Sequence, residues 1–266
     1  MNRVLVSIGP INIYWYSFLI IMAVIIGYNI VTNYSNKLSY KTGAIMDMTF
    51  GLVIAAIIGA RVYYCLFNFD AYSDNLLGML MIWNGGLAIY GAVIGGLLYI
   101  LYYCKKHDME FLKVLDILSL SLLLGQAIGR WGNFFNSEAY GGKTTYEALK
   151  NVLIPDFIIE GMYIDGFYRQ PTFLYESIWC FIGVIILYFI RRKDLRVNGM
   201  QISFYFIWYG IGRFFIEALR SDSLYLGSFR ISQIVSLGLI VIGILIRIIV
   251  KRKELSNKGG DIFERI

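Results

Sequence analysis

One of the longest apolar runs of this chain, which includes Ile117, Leu118, Leu120, Leu122, Leu123 and Leu124, leads directly into GRWGNFFNSEAYG, Gly129 to Gly141. That stretch carries Arg130, Asn133, Asn136 and Glu138. A charge near the centre of a bilayer costs roughly 3 kcal/mol or more, and such residues usually face a protein-lined cavity that marks a ligand or ion path. On a helix, Gln126, Arg130, Asn133 and Ser137 recur at i, i+4, i+7 and i+11 with Asn136 on the flank, so one polar face runs along an apolar rod. Arg213, Glu217 and Arg220 repeat the pattern at i, i+4 and i+7. Guanidinium binds phosphate oxygens through two parallel hydrogen bonds and stays charged, so the chemistry these residues suit is recognition of an anionic phosphate. Glu217 either holds the flanking arginines in position or neutralises them, and Arg130 has the plainer alternative role of a buried ion-pair partner.

The elements that must position these residues are membrane spans. With 266 residues, 58% hydrophobic and 16% charged, and a mean hydropathy of +0.62, the chain is too apolar for a soluble core. The class is all-α and polytopic, since the runs are longer than β-barrel strands and apolar all round. About 20 apolar residues cross a bilayer, which gives seven transmembrane helices at 13–32, 46–67, 83–103, 115–135, 172–190, 201–219 and 231–250, together forming one domain over 1–266. Fourteen lysines and arginines, among them Lys105, Lys106, Arg191, Arg192, Arg196, Lys251 and Arg265, fall on one side of this arrangement; six, including Arg3, Lys143 and Arg220, fall on the other, where Asp70 and Asp74 also lie. The positive-inside rule then places the N-terminus outside and the C-terminus in the cytoplasm. The net charge of +6 is explained by topology and calls for no nucleic acid. The loop 136–170, too long for a simple connector, is expected to form an extracytoplasmic cap between helices 4 and 5.

Further polar residues fall toward the same outer ends: Tyr14 and Tyr16 in the first span, Arg61 in the second, Tyr90 in the third, and Tyr175 and Glu176 in the fifth. The inner halves read as nearly pure Leu, Ile and Val, and no repeated halves are evident. That pattern favours one outer-side cavity over a through-path. A membrane transporter or a non-enzymatic anionic phospholipid-binding protein is the alternative. Cys65, Cys104 and Cys180 form no metal or disulfide pattern, and no metal or cofactor is expected.

Six blocks in order resemble the prolipoprotein diacylglyceryl transferases: SIGPINIYWYSF, GARVYY, WNGGLAIYGAVIGG, GRWGNFFNSEAYG, QPTFLYES and GRFFIEALRSDS. The resemblance covers nearly the whole chain, with 142–168 least matched. It implies a seven-helix enzyme of the bacterial cytoplasmic (inner) membrane. Such an enzyme transfers diacylglyceryl from phosphatidylglycerol to the lipobox cysteine in the signal peptide of a preprolipoprotein, forming a thioether and releasing glycerol 1-phosphate. Carried over by block, Arg130 matches the arginine that binds phosphatidylglycerol, Asn133, Asn136 and Glu138 share its signature, Arg213, Glu217 and Arg220 match a second cluster associated with activity, and Tyr16 matches an important first-helix tyrosine. Arg61 and Tyr90 fall within two further blocks.

Many members carry histidine where this chain has Tyr90, and the only histidine here, His107, falls in a loop on the cytoplasmic side. Tyrosine is a poor base near neutral pH, so Tyr90 reads better as a hydrogen-bond donor to the headgroup. In the implied displacement the thiolate is the nucleophile. Arg130 and Arg213 would neutralise charge on the leaving phosphate, and Glu217 or Tyr90 would help the thiol proton away.

Overall fold

The structure, a computed structural model, describes residues 3–9, 11–72, 76–193 and 199–263. Of the residues used to orient the chain, Asp74, Arg196 and Arg265 lie outside them. In chain order, a hairpin of β1 (Val4–Ile8) and β2 (Ile11–Tyr14) leads into α1 (Trp15–Leu38) and α2 (Thr42–Phe67). Three short 3-10 turns precede α3 (Ile89–Lys106) and α4 (Phe111–Asn136). A small insertion follows: β3 (Lys143–Thr144), α5 (Tyr146–Asn151), α6 (Asp156–Gly161), β4 (Tyr163–Ile164) and β5 (Phe167–Arg169). The chain ends with α7 (Thr172–Lys193), α8 (Met200–Leu219), the pair β6 (Tyr225–Leu226) and β7 (Phe229–Arg230), and α9 (Ile231–Phe263).

Among the described residues six helices, α1, α2, α4, α7, α8 and α9, are long and apolar enough to cross a membrane, one fewer than the expected seven. The helix expected at 83–103 is the exception. Gly85 and Gly86, at φ +83° and +73°, hold the chain in the left-handed region. That conformation stops helix propagation, so α3 starts only at Ile89 and spans 18 residues. It then spends four of them on tyrosine and ends in Lys105 and Lys106. The first span is also shifted: Tyr14 belongs to β2, and α1 begins at Trp15. Three short sheets stand beside the helices, which composition gave no means of foreseeing.

The chain divides into two compact units, Val31–Val114 and the remainder, Met1–Ile30 with Leu115–Ile266. In the first unit α2 and α3 pack backbone to backbone. A Cβ at Gly59 would strike the Gly91 carbonyl, and one at Gly95 would lie 2.7 Å from the Ala55 carbonyl oxygen. Small residues at these positions permit the approach. Arg61, only 6% exposed, donates to the carbonyls of Met79 (2.8 Å), Gly85 (2.6 Å), Gly86 (2.9 Å), Gly78 (2.8 Å) and Met81 (3.2 Å). It holds the irregular segment after α2 in place. His107, beyond α3, stacks on Tyr103 with ring centroids 4.1 Å apart.

In the second unit α8 packs between α7 and α9. Trp179 and Trp208 each donate their indole N–H to the other's carbonyl, at 2.8 and 2.9 Å, with their rings stacked. At the Phe111 end of α4, Asp116 is fully buried and accepts from the backbone N–H of Gly199 and Ile202, both at 2.8 Å. Arg191 donates to the carbonyls of Asp116 (2.6 Å) and Ile117 (3.0 Å) and to Gln201 Oε1 (2.6 Å). This half was expected to be almost purely aliphatic, and Arg191 to lie in the loop beyond the fifth span. Both expectations fail, because Asp116 caps the start of α8 across the helix interface and Arg191 is drawn in beside it.

The insertion after α4 folds as a three-stranded sheet, ordered β3-β5-β4, with α5 and α6. Its core of Leu149, Ile154, Ile158, Ile159 and Met162 closes on Phe134 of α4 and Phe173 of α7. Burial of five aliphatic side chains explains why a segment this short is structured.

Candidate active site

The candidate residues of α4, α7 and α8 are brought level by a clasp of main chain. Past the end of α4, Ser137 and Ala139 adopt φ values of +54° and +57° and turn the chain back. Thr172 Oγ1 then donates to the Ala139 carbonyl at 2.6 Å, Gly141 N–H to Gln170 O at 2.9 Å, and Gly142 N–H to Leu219 O at 3.1 Å. Gly141 admits no side chain, since a Cβ there would lie 2.8 Å from Gln170 Cβ and 3.0 Å from Leu219 O. The close of α4, the opening of α7 and the close of α8 therefore meet at one point.

About one turn into α7, Glu176 occupies the centre of the resulting cluster and is 2% exposed. Its Oε1 accepts from Arg130 Nη2 at 2.5 Å and its Oε2 from Arg213 Nη1 at 2.8 Å. Tyr209 Oη donates to Oε1 at 3.3 Å. Arg213 reaches on to Ser232 Oγ at 3.3 Å and pairs with Glu217 Oε2 at 2.6 Å, an ion pair whose angle falls outside hydrogen-bond geometry. Arg230 donates to the Glu217 carbonyl. Two arginines from different spans thus share one buried carboxylate. Their side chains keep 19% and 13% of their surface accessible.

From Arg130 the polar face continues toward the C-terminal end of α4. Nη1 contacts Asn133 Oδ1 at 3.4 Å, and Glu138 Oε1 accepts from Asn133 at 2.9 Å and Asn136 at 3.3 Å. Tyr16 lies against Gly132, where a Cβ would stand 2.5 Å from its ring. Tyr16, Asn136 and Glu138 line an open cleft of about 470 Å³ together with Arg3 and Ser17.

The residues singled out from the sequence divide as follows. Arg130, Arg213 and Glu217 form one network, and Asn133, Asn136, Glu138 and Tyr16 lie beyond it toward the C-terminal end of α4. Ser137 leaves the helical stripe because α4 ends one residue earlier. Arg220 also leaves its helix: it follows Leu219 with extended backbone and forms a two-pronged pair with Asp222, both bonds 2.9 Å, while Glu217 Oε2 is 4.0 Å away. Tyr90 stands in the first turn of α3 beside Tyr63 in the other unit, where Arg61 spends its donors on backbone carbonyls. The residue whose central place went unrecognised is Glu176. A carboxylate inside an apolar helix was the available signal, yet nothing in the spacing says that it lies between two arginines. Tyr209 and Ser232 carried no such signal. Among the described residues, no group of three or more His, Cys, Asp or Glu side chains is placed to hold a metal ion.

The family profile described as prolipoprotein diacylglyceryl transferase matches residues 3–249. A protein of Halalkalibacterium halodurans named phosphatidylglycerol–prolipoprotein diacylglyceryl transferase is 47% identical over 247 residues, covering 92% of this chain and 85% of its own length. Proteins of the same name from Bacillus cytotoxicus and Bacillus cereus are each 46% identical over 253 residues, covering 95% of this chain and 93% of their own. With the match extending over nearly the whole sequence and over the arginine cluster itself, this chain belongs to the prolipoprotein diacylglyceryl transferase family.

Proposed function

We propose that this chain transfers the diacylglyceryl group of phosphatidylglycerol to the thiol of a lipobox cysteine in a preprolipoprotein, forming a thioether and releasing glycerol 1-phosphate, the first step of lipoprotein maturation. The observation that carries the reading is the meeting of Arg130 and Arg213 on Glu176 in a chain of this family. Four guanidinium groups, those of Arg130, Arg213, Arg220 and Arg230, gather around Glu176 and Glu217, and in this reading Arg130 and Arg213 turn part of their donors to a lipid phosphate.

In the reaction the cysteine sulfur attacks a glycerol carbon, the C–S bond forms as the C–O bond breaks, and the electron pair passes to the phosphate oxygen. Arg130 and Arg213 stabilise that growing charge, and because Glu176 already holds them, little reorganisation is needed at that moment. Asn133, Asn136, Glu138 and Tyr16 offer donors and acceptors to the hydroxyls of the headgroup. The thiol proton passes to Glu217 or is assisted by Tyr90; Tyr90 enters by its sequence block alone. Arg220, paired with Asp222, stands beside the cluster and can turn to the headgroup only by giving up that partner. Arg61 serves in this reading to hold its own loop.

We infer also that α3 crosses the bilayer, giving seven spans in the bacterial cytoplasmic membrane with the N-terminus outside, the C-terminus inside and the insertion as an extracytoplasmic cap. Purified protein, phosphatidylglycerol and a lipobox peptide test the activity: a diacylglyceryl mass gain on the peptide cysteine with release of glycerol phosphate is expected. Lipid binding without either product would overturn it.

A further inference from the structure

The insertion presents an apolar corner that its own core does not need. Between α5 and α6 the chain turns at Val152 and Leu153, and Leu153, at φ +61°, is 90% exposed. Val152 and Phe157 beside it are also exposed, while Ile154 and Ile158 are buried and fix the corner's position. Lys150 and Asp156, which flank the turn, bond to one another at 2.6 and 2.9 Å, so the corner has no net charge at its base.

A groove of about 650 Å³ runs beneath this corner, walled on one side by Leu153 and Phe157 and on the other by Trp131 of α4 and by Leu174 and Ile178 of α7. Ile178 lies about two turns into α7, roughly 9 Å along the helix from its start at 1.5 Å per residue. It also begins the stripe Ile178, Phe181, Ile182 and Ile185, four exposed apolar residues at i, i+3, i+4 and i+7 on a helix of membrane-spanning length and apolarity. The groove is therefore continuous with a surface that faces lipid. Contiguous exposed apolar patches mark binding surfaces, and aromatic residues such as Trp131 and Tyr175 on its walls suit the headgroup level of a bilayer.

We propose that the α5–α6 corner dips into the bilayer interface and that one acyl chain of a membrane phospholipid occupies the groove between it and α7. The insertion is then held to the membrane at two places, by its chain connections and by this corner. The inference rests on the spans and not on the transfer reaction.

The test uses the full chain in phosphatidylglycerol nanodiscs, with an environment-sensitive fluorophore on Leu153→Cys or Phe157→Cys. Cys65, Cys104 and Cys180 are all buried, so the introduced thiol takes the label. Both positions are expected to emit with a blue shift, to be quenched by lipid brominated on its acyl chains and to resist iodide. A label on Glu147→Cys, exposed on α5, is expected to behave oppositely. Iodide quenching at 153 overturns the dipped corner, and iodide quenching at 157 overturns the occupied groove. Equal lipid quenching at all three positions overturns both. None of these readouts depends on catalysis.

Discussion

The helices α4, α7 and α8 bury charge between them at both ends, and the two ends do it differently. At one, Asp116 accepts backbone N–H groups of Gly199 and Ile202, and Arg191 donates to the carbonyls of Asp116 and Ile117. At the other, Arg130 and Arg213 are held by the side chains of Glu176, Glu217, Ser232 and Asn133 and remain partly accessible. Main-chain partners cannot leave without breaking a helix end, so the first cluster is a fixture. Side-chain partners can rotate, so an incoming phosphate can share or displace them. Arg61 repeats the first solution in the other unit, with five bonds to carbonyl oxygens.

The largest effect that separates the two ends is expected from Arg130→Ala or Arg213→Ala. Losing one electrostatic stabiliser of the transition state should lower transfer on the order of 100-fold or more, with the folded protein still in the membrane. Peptide mass shift measures the first and size-exclusion profile the second; an undiminished rate in either variant removes the arginines from the mechanism. Next comes a matched pair, Glu176→Gln and Asp116→Asn. Removing one partner of a buried ion pair costs about 3–5 kcal/mol, so Glu176→Gln should lower both the thermal inactivation midpoint and the turnover of the molecules that stay folded. Asp116→Asn should lower the midpoint alone, and a fall in its turnover per folded molecule would erase the distinction between the two ends.

Tyr90→Phe is expected to act more weakly. If its hydroxyl donates one hydrogen bond to the headgroup, the loss is about 1 kcal/mol, several-fold in KM; a much larger drop in kcat would instead assign it the proton transfer. Smallest is the exposed pair on the insertion. Hydrogen bonds from Lys150 and Tyr146 hold the Asp156 carboxyl below the usual carboxylate range. A depressed folded pKa contributes stability above the unfolded value that is lost as pH falls through the folded one. The difference in thermal midpoint between the parent chain and Lys150→Ala should therefore shrink as the pH falls below that of an ordinary aspartate. A gap that widens in acid would contradict the sign.

Much of this arrangement was legible before any coordinates. Long apolar runs mark helices because a bilayer leaves backbone groups no other partner, and Arg130 and Arg213 stood out because charge in such a run is expensive. Other features were hidden for physical reasons. The hairpin β1–β2 is too short for a period-two signal. The late start of α3 turns on two glycine dihedrals that only the Arg61 contacts explain. Glu176 and Asp116 were visible as residues, but periodicity within one helix says nothing of which neighbour it will meet. Pairing across helices is a property of packing, and it decided which charges are fixtures and which form the site.

The order of the chain gives the Gly141 clasp a consequence for biosynthesis. A ribosome delivers α4 before α7, so the guanidinium of Arg130 enters the lipid phase ahead of the carboxylate that will neutralise it. The aliphatic residues from Ile117 to Ile128 must outweigh that penalty during the interval. Arg213 arrives later still, with α8, and only then can Leu219 close on Gly142. A nascent chain therefore completes the cluster only once α8 has been made, and until then Arg130 lacks its partner Glu176 or shares it with no second arginine.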